Sequence, residues 1–191
     1  MKSHTKLAAA ALTALCYSSF ANAQEPTKEE TIDWLREKIP QASSGCKVDG
    51  ERDKGTNRHE IYRSFPSSKL IYQSNNNLYR IQQTYRYEYS KGPYSGDTKS
   101  YWNTFTFDPT AIISLSIESP ETEADPSSGS FREANCTKLF MEFAYPIPID
   151  ESQASLRSMG IYVRDPQLAA RMKSALEHWI KLEKSGAGEP F

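Results

Sequence analysis

The sequence predicts an α+β fold, with an antiparallel, strongly curved sheet of about seven strands. One helix precedes the sheet and a capping helix follows it. Three observations lead there. Apolar residues recur with a helical period near both ends of the chain. Between them, from about residue 59 to residue 164, the period falls to two. The longest alternation has one aromatic face and one polar face, the mark of an antiparallel sheet covered on one side.

The first helix is read over 27–39, TKEETIDWLREKI. Thr27 caps it and Glu30 completes a capping box. Thr31, Ile32, Leu35 and Ile39 share one side, with Trp34 toward its edge. Pro40 is expected to end it, because the residue before proline is pushed out of the helical region. A loop follows through Cys46. Short strands at EIYRSF and KLIYQS lead into residues 78–90, LYRIQQTYRYEYS. There Tyr79, Ile81, Gln83, Tyr85, Tyr87 and Tyr89 point one way, and Arg80, Gln82, Thr84, Arg86 and Glu88 the other. KGPYSGD is a turn. SYWNTFTF returns with Tyr101, Phe105 and Phe107 on one side and Trp102, Thr104 and Thr106 on the other. IISLSIE alternates through Ile113, Leu115 and Ile117. The polar stretch 119–130 is expected to be a mobile loop. TKLFMEFAY, stopped by PIPID, and GIYVR complete the sheet.

The last helix opens with Asp165 as cap and Pro166 at its first position, both favoured there. Leu168, Met172, Ala175, Leu176, Trp179 and Leu182 form its apolar stripe. Met172, Leu176 and Trp179, with Trp34 of the first helix, are the expected structural anchors. His178 falls on the flank with Arg171 and Lys181 and is expected to be solvated. Glu177 lies on the outer side, so the two make no acid–base dyad.

Residues 1–23 read as a bacterial signal peptide, with Lys2 and Lys6, a short apolar run and a small-x-small end at Ala21-Asn22-Ala23. Cleavage would leave 24–191 as a single domain of 168 residues, destined for the periplasm or the medium. No later run has the length of an integral membrane segment. The signal takes two of the 23 basic residues and none of the 24 acidic ones, so acids exceed bases by three in the remainder. Without a basic excess, nucleic acid is not an expected partner. Cys46 and Cys136 remain, and an exported chain with an even cysteine count predicts a disulfide. Closing so long a loop is worth up to roughly 4–5 kcal/mol of unfolded-state entropy. The sequon at Asn135 is read as accidental.

Motifs that carry chemistry are missing. There is no HExxH, paired CxxC, GxSxG, phosphate loop or GxGxxG, so no catalytic residue, metal site or cofactor is assigned. Glu121, Glu123 and Asp125 alternate like the start of a calcium loop. However, Pro126 and Arg132 stand where glycine and glutamate are needed. His59 and Glu60 would point to opposite faces of a strand. Tyr85, Tyr87 and Tyr89, with Trp102 and Tyr101 nearby, form a platform for a sugar ring or extended peptide, or else the inner face of the sheet with hydroxyls at its rim. The second reading is the simpler one.

The order of TIDWLREKI, a sheet, AARMKSALEHWIKL and a tail ending EPF resembles a recurring helix–antiparallel sheet–helix type of exported bacterial protein. A bent sheet followed by one helix is also similar to pleckstrin-homology-like folds, in which the helix plugs an open barrel. The N-terminal helix and the expected bridge depart from that plan, and such a likeness implies a fold and not a ligand. The expected function is an exported, non-catalytic binding or interaction module of the bacterial envelope, with a protein, peptide or envelope component as partner. The alternative is an envelope-polymer hydrolase or inhibitor-type protein using His59, Glu60 and the tyrosines. A purely structural envelope protein is a third class.

Overall fold

The computed structural model describes residues 25–53, 59–73, 78–120, 122–125, 130–149 and 154–186. The expected signal peptide, 1–23, lies outside them. Two helices flank two antiparallel sheets. Helix α1 spans Lys28–Ala42 and helix α2 spans Pro166–Ser185. The strands are β1 (Val48–Asp53), β2 (His59–Gln73), β3 (Leu78–Lys91), β4 (Thr98–Phe107), β5 (Ile112–Glu118), β6 (Thr122–Asp125), β7 (Ser130–Ala134), β8 (Thr137–Pro148) and β9 (Ser155–Val163). A six-stranded sheet runs β4-β3-β2-β1-β7-β6, and a three-stranded sheet runs β5-β8-β9. An isolated bridge links Phe105 of β4 to Ile149, just after β8.

This corrects the expectation of one seven-stranded sheet. No closed barrel forms among the described residues, and the strands divide between two sheets. EIYRSF and KLIYQS are one strand. Pro66 does not divide it, because β1 pairs only as far as Ser64 and leaves β2 open on that side, where a residue without an N–H is tolerated. Part of the polar stretch expected to be a mobile loop is a hairpin, with Thr122–Asp125 pairing against Ser130–Ala134. Pairing with β1 extends that hairpin into the larger sheet. β8 likewise runs on through its prolines by way of an irregularity after Glu142, and Ile147 beyond it is fully buried.

The helices start as their sequences require. Thr27 Oγ1 accepts from Glu30 N–H at 3.2 Å, and Thr27 N–H donates to Glu30 Oε2 at 2.8 Å. Pro40 does not end α1, which continues to Ala42. Only the last turn follows the proline, so few hydrogen bonds are at stake, and Ile39 and Ala42 are held in the core. Asp165 accepts from Gln167 N–H at 2.9 Å with Pro166 inside the first turn. Gly186, with φ of 64°, closes α2 in the left-handed conformation.

The core lies where the two sheets and both helices meet. Ile32, Leu35 and Ile39 face Leu70, Ile81 and Phe105, together with Leu139, Met141, Ile161, Met172, Leu176 and Trp179. The stripe of α2 is rotated from the expected one. Ala169 and Ile180 are buried with Met172, Leu176 and Trp179, whereas Leu168, Ala175 and Leu182 are only partly covered. On β5 the buried isoleucine is Ile112, and Ile113 is 63% exposed, because the pairing slips between Ile112 and Ser114.

Cys46 and Cys136 form the expected disulfide, with their Cα atoms 5.7 Å apart. The register explains the match. Val48 pairs with Ala134, so the residues two before β1 and two after β7 meet at one end of that strand pair. Lys47 N–H also donates to Asn135 Oδ1 at 2.8 Å, and Asn135 N–H to Lys47 O at 3.2 Å. Such a bridge is consistent with an oxidising, exported location.

Candidate functional site

Six residues of β3 lie in one row on one face: Tyr79, Ile81, Gln83, Tyr85, Tyr87 and Tyr89. Register extends that face across the neighbouring strands. Tyr62, Ser64, Ser68 and Leu70 of β2 stand opposite Tyr89, Tyr87, Gln83 and Ile81. Tyr101, Asn103, Phe105 and Phe107 of β4 stand opposite Tyr85, Gln83, Ile81 and Tyr79. One half of the face, around Tyr79, Ile81, Leu70, Phe105 and Phe107, is core. The other half, from Tyr85 to Tyr89, is the floor of a cavity of about 710 Å³.

Gln83 marks the division. Its side chain is buried, and Nε2 donates to the Gly160 carbonyl of β9 at 2.6 Å. Its Oε1 accepts from Tyr85 Oη at 3.1 Å. The smaller sheet therefore closes over the face up to Gln83 and then parts from it. Leu156 and Tyr162 of β9 form the far wall of the resulting trough.

The rings of the trough are mutually ordered. Tyr87 and Tyr89 lie nearly parallel, at 23° with centroids 6.1 Å apart. Tyr62 is tilted against Tyr87 at 5.4 Å, and Tyr101 stands edge-on to Tyr87 at 5.5 Å and 80°. Tyr62 fits because its cross-strand partner is Gly50, where a Cβ would fall 2.3 Å from Tyr62 Cζ. Tyr94, from the β3–β4 turn, packs on Tyr89 at 5.5 Å. The Lys99 ammonium sits 3.1 Å from the centre of the Tyr94 ring, a cation held against an aromatic face. Tyr62 and Tyr89 are buried, whereas Tyr101 is 49% exposed at the mouth.

The sequence-derived residues divide accordingly. Tyr85, Tyr87 and Tyr89 line the trough. Trp102 is 56% exposed on the other face, because it pairs with Thr84 and so points away from the ladder. Tyr101, its neighbour, takes the place at the mouth. Sequence reasoning missed Tyr62, Tyr94, Asn103, Leu156 and Tyr162. Asn103 was readable from the alternation of β4, but the others come from a turn and from strands whose order no local pattern gives. His59 and Glu60 lie at the start of β2 opposite Asp53 and Arg52. Glu60 is buried, and the side chain of His59 is outside the described ones, as are those of Glu121, Glu123 and Asp125. Among the described residues no three histidine, cysteine or carboxylate side chains gather as a metal site.

No protein family, no curated protein and no solved structure matches the chain. No helix among the described residues is long and apolar enough to cross a membrane.

Two other surfaces are defined. On the outer face, Arg63 donates to Asp49 at 2.6 and 3.3 Å. That hydrogen bond, and then the carboxylate charge, holds the guanidinium above its ordinary range. Between α1 and α2 is a groove of about 790 Å³ lined by Pro26, Trp34, Arg171 and His178 among others. His178 differs from expectation here. It is half-buried, and Nε2 lies 2.7 Å from the Pro26 carbonyl. A carbonyl only accepts, so Nε2 carries the hydrogen. The segment before α1 runs alongside α2, a contact that the period of α2 alone does not reveal. Glu177 pairs with Lys173 and not with the histidine.

Proposed function

We propose that the chain is an exported, non-catalytic binding module of the bacterial envelope, acting in the periplasm or outside the cell, and that its ligand sits in the tyrosine-lined trough. A single observation carries this reading. One continuous sheet face is sealed up to Gln83 and left open beyond it, although the open half is as aromatic as the sealed half. An aromatic surface of that extent is usually buried within the fold or against a partner. Its volume falls in the range of about 300–1,000 Å³ common to ligand sites. Tyrosine suits such a surface, since it offers a broad apolar body with a polar tip. The Cys46–Cys136 bridge fits the oxidising compartment that the reading requires.

Binding of the immobilised protein to fractionated envelope polymers tests this, with Tyr101→Ala as the paired variant. Saturable binding by the parent protein, at least tenfold weaker in the variant, is the expected result. Binding that is equal in the two proteins, or absent from every fraction, contradicts it.

A further inference from the structure

Resting on that reading, we infer that the trough takes an uncharged saccharide chain, with a sugar ring stacked at the corner formed by Tyr87 and Tyr101. Three features converge on this chemistry. The first is charge. Among the described residues the lining consists of Val48, Leu156, Ser64, Asn103 and tyrosines, with no carboxylate, ammonium or guanidinium. A ligand phosphate, carboxylate or ammonium would be drawn out of water there without a counter-charge, which is costly. Lys99, a cation on the same face, already lies against Tyr94.

The second is the type of polar group. Phenol and serine hydroxyls and the asparagine amide each donate and accept. A sugar hydroxyl has the same double character, so both of its roles find partners along this wall. A proline-rich peptide, the other ligand that favours aromatic grooves, presents carbonyl acceptors and lacks the N–H of its prolines.

The third is shape. Tyr101 stands 80° from Tyr87, so floor and wall meet nearly at right angles. A pyranose chair is disc-shaped, with an apolar C–H face and a hydroxyl rim. In such a corner the face covers one tyrosine while the rim meets the phenol and amide groups of the other side. Asn103, next on the same face of β4 after Tyr101, is placed to reach that rim.

Calorimetric titration and backbone-amide chemical-shift mapping of the disulfide-bonded protein provide the test. The probes are hexamers of β-1,4-linked N-acetylglucosamine, β-1,4-linked glucose and α-1,4-linked glucose, an oligogalacturonate and a proline decamer. Tyr101→Ala and Asn103→Leu are titrated alongside, since either one that folds suffices. At least one neutral hexamer is expected to bind saturably, to shift amides of β3 and β4 around Tyr87, Tyr101 and Asn103, and to weaken at least tenfold in a variant. If the proline decamer or the oligogalacturonate shifts those amides and no neutral hexamer does, the saccharide inference is overturned while the trough remains a binding site. If no probe and no envelope fraction perturbs the trough, both fail.

Discussion

The indole N–H of Trp179 donates to Oε1 of Glu183 at 3.0 Å, one turn further along α2. The same oxygen accepts from Tyr79 Oη at 3.3 Å and lies 3.1 Å from Lys28 Nζ. One carboxylate thus ties together the last helix, the core end of the tyrosine row and the first helix. Trp179 itself is fully buried, with its ring edge-on to Tyr79 at 4.4 Å and 77°. The core half of the sheet face is fixed by this cluster, and the position of the trough beyond it follows.

Replacing Trp179 with alanine removes the largest fully buried side chain and leaves its cavity. The expected cost is about 3–5 kcal/mol, read as a lower midpoint in chemical denaturation. An unchanged midpoint would mean that α2 does not close the core.

Glu183→Ala takes away the acceptor of a buried indole N–H and one partner of Lys28. A loss of about 1–3 kcal/mol is expected. Lys28→Ala should cost less, because the indole and the Tyr79 hydroxyl keep their shared acceptor. Equal losses in the two variants would argue against the carboxylate as a shared anchor.

Removing the bridge by Cys46→Ala with Cys136→Ala should destabilise by about 2–5 kcal/mol. The same change is expected on reduction of the parent protein, and mass spectrometry under non-reducing conditions should find no free thiol at either cysteine.

Gly50→Ala places a methyl group 2.3 Å from Tyr62 Cζ and 2.4 Å from its hydroxyl. The ring must shift toward Tyr87 and Tyr89, an overpacking cost of about 1–3 kcal/mol. Ligand affinity is expected to fall more than for an alanine substitution at Trp102 on the opposite face. Equal affinity in the two variants would show that Tyr62 is not part of the site.

Local chemistry made much of the fold legible. The Thr27–Glu30 box, the Asp165-Pro166 start and the alternation of residues 78–90 each depend on neighbours within a few positions, and each appears in the structure. Long-range pairing was not legible. Nothing near Glu123 or Ala124 indicates that they are added to a sheet edge by β7, or that β1 lies between β2 and β7. Pro40, expected to end α1, is tolerated near the end of the helix, where its missing N–H costs little. The candidate site was half readable. Alternation placed Tyr85, Tyr87 and Tyr89 on one face, yet whether that face was sealed or open depended on where β9 parts from it beyond Gly160. The same alternation separates Tyr101 from Trp102.

The most direct test of the account is chemical-shift mapping of the protein during titration with solubilised envelope polymers. Saturable shifts confined to the trough half of the sheet face, around Tyr62, Tyr87, Tyr101 and Asn103, and lost in Tyr101→Ala, are the predicted result. Saturable shifts confined to the groove between α1 and α2, or a trough unperturbed by every polymer, would contradict it.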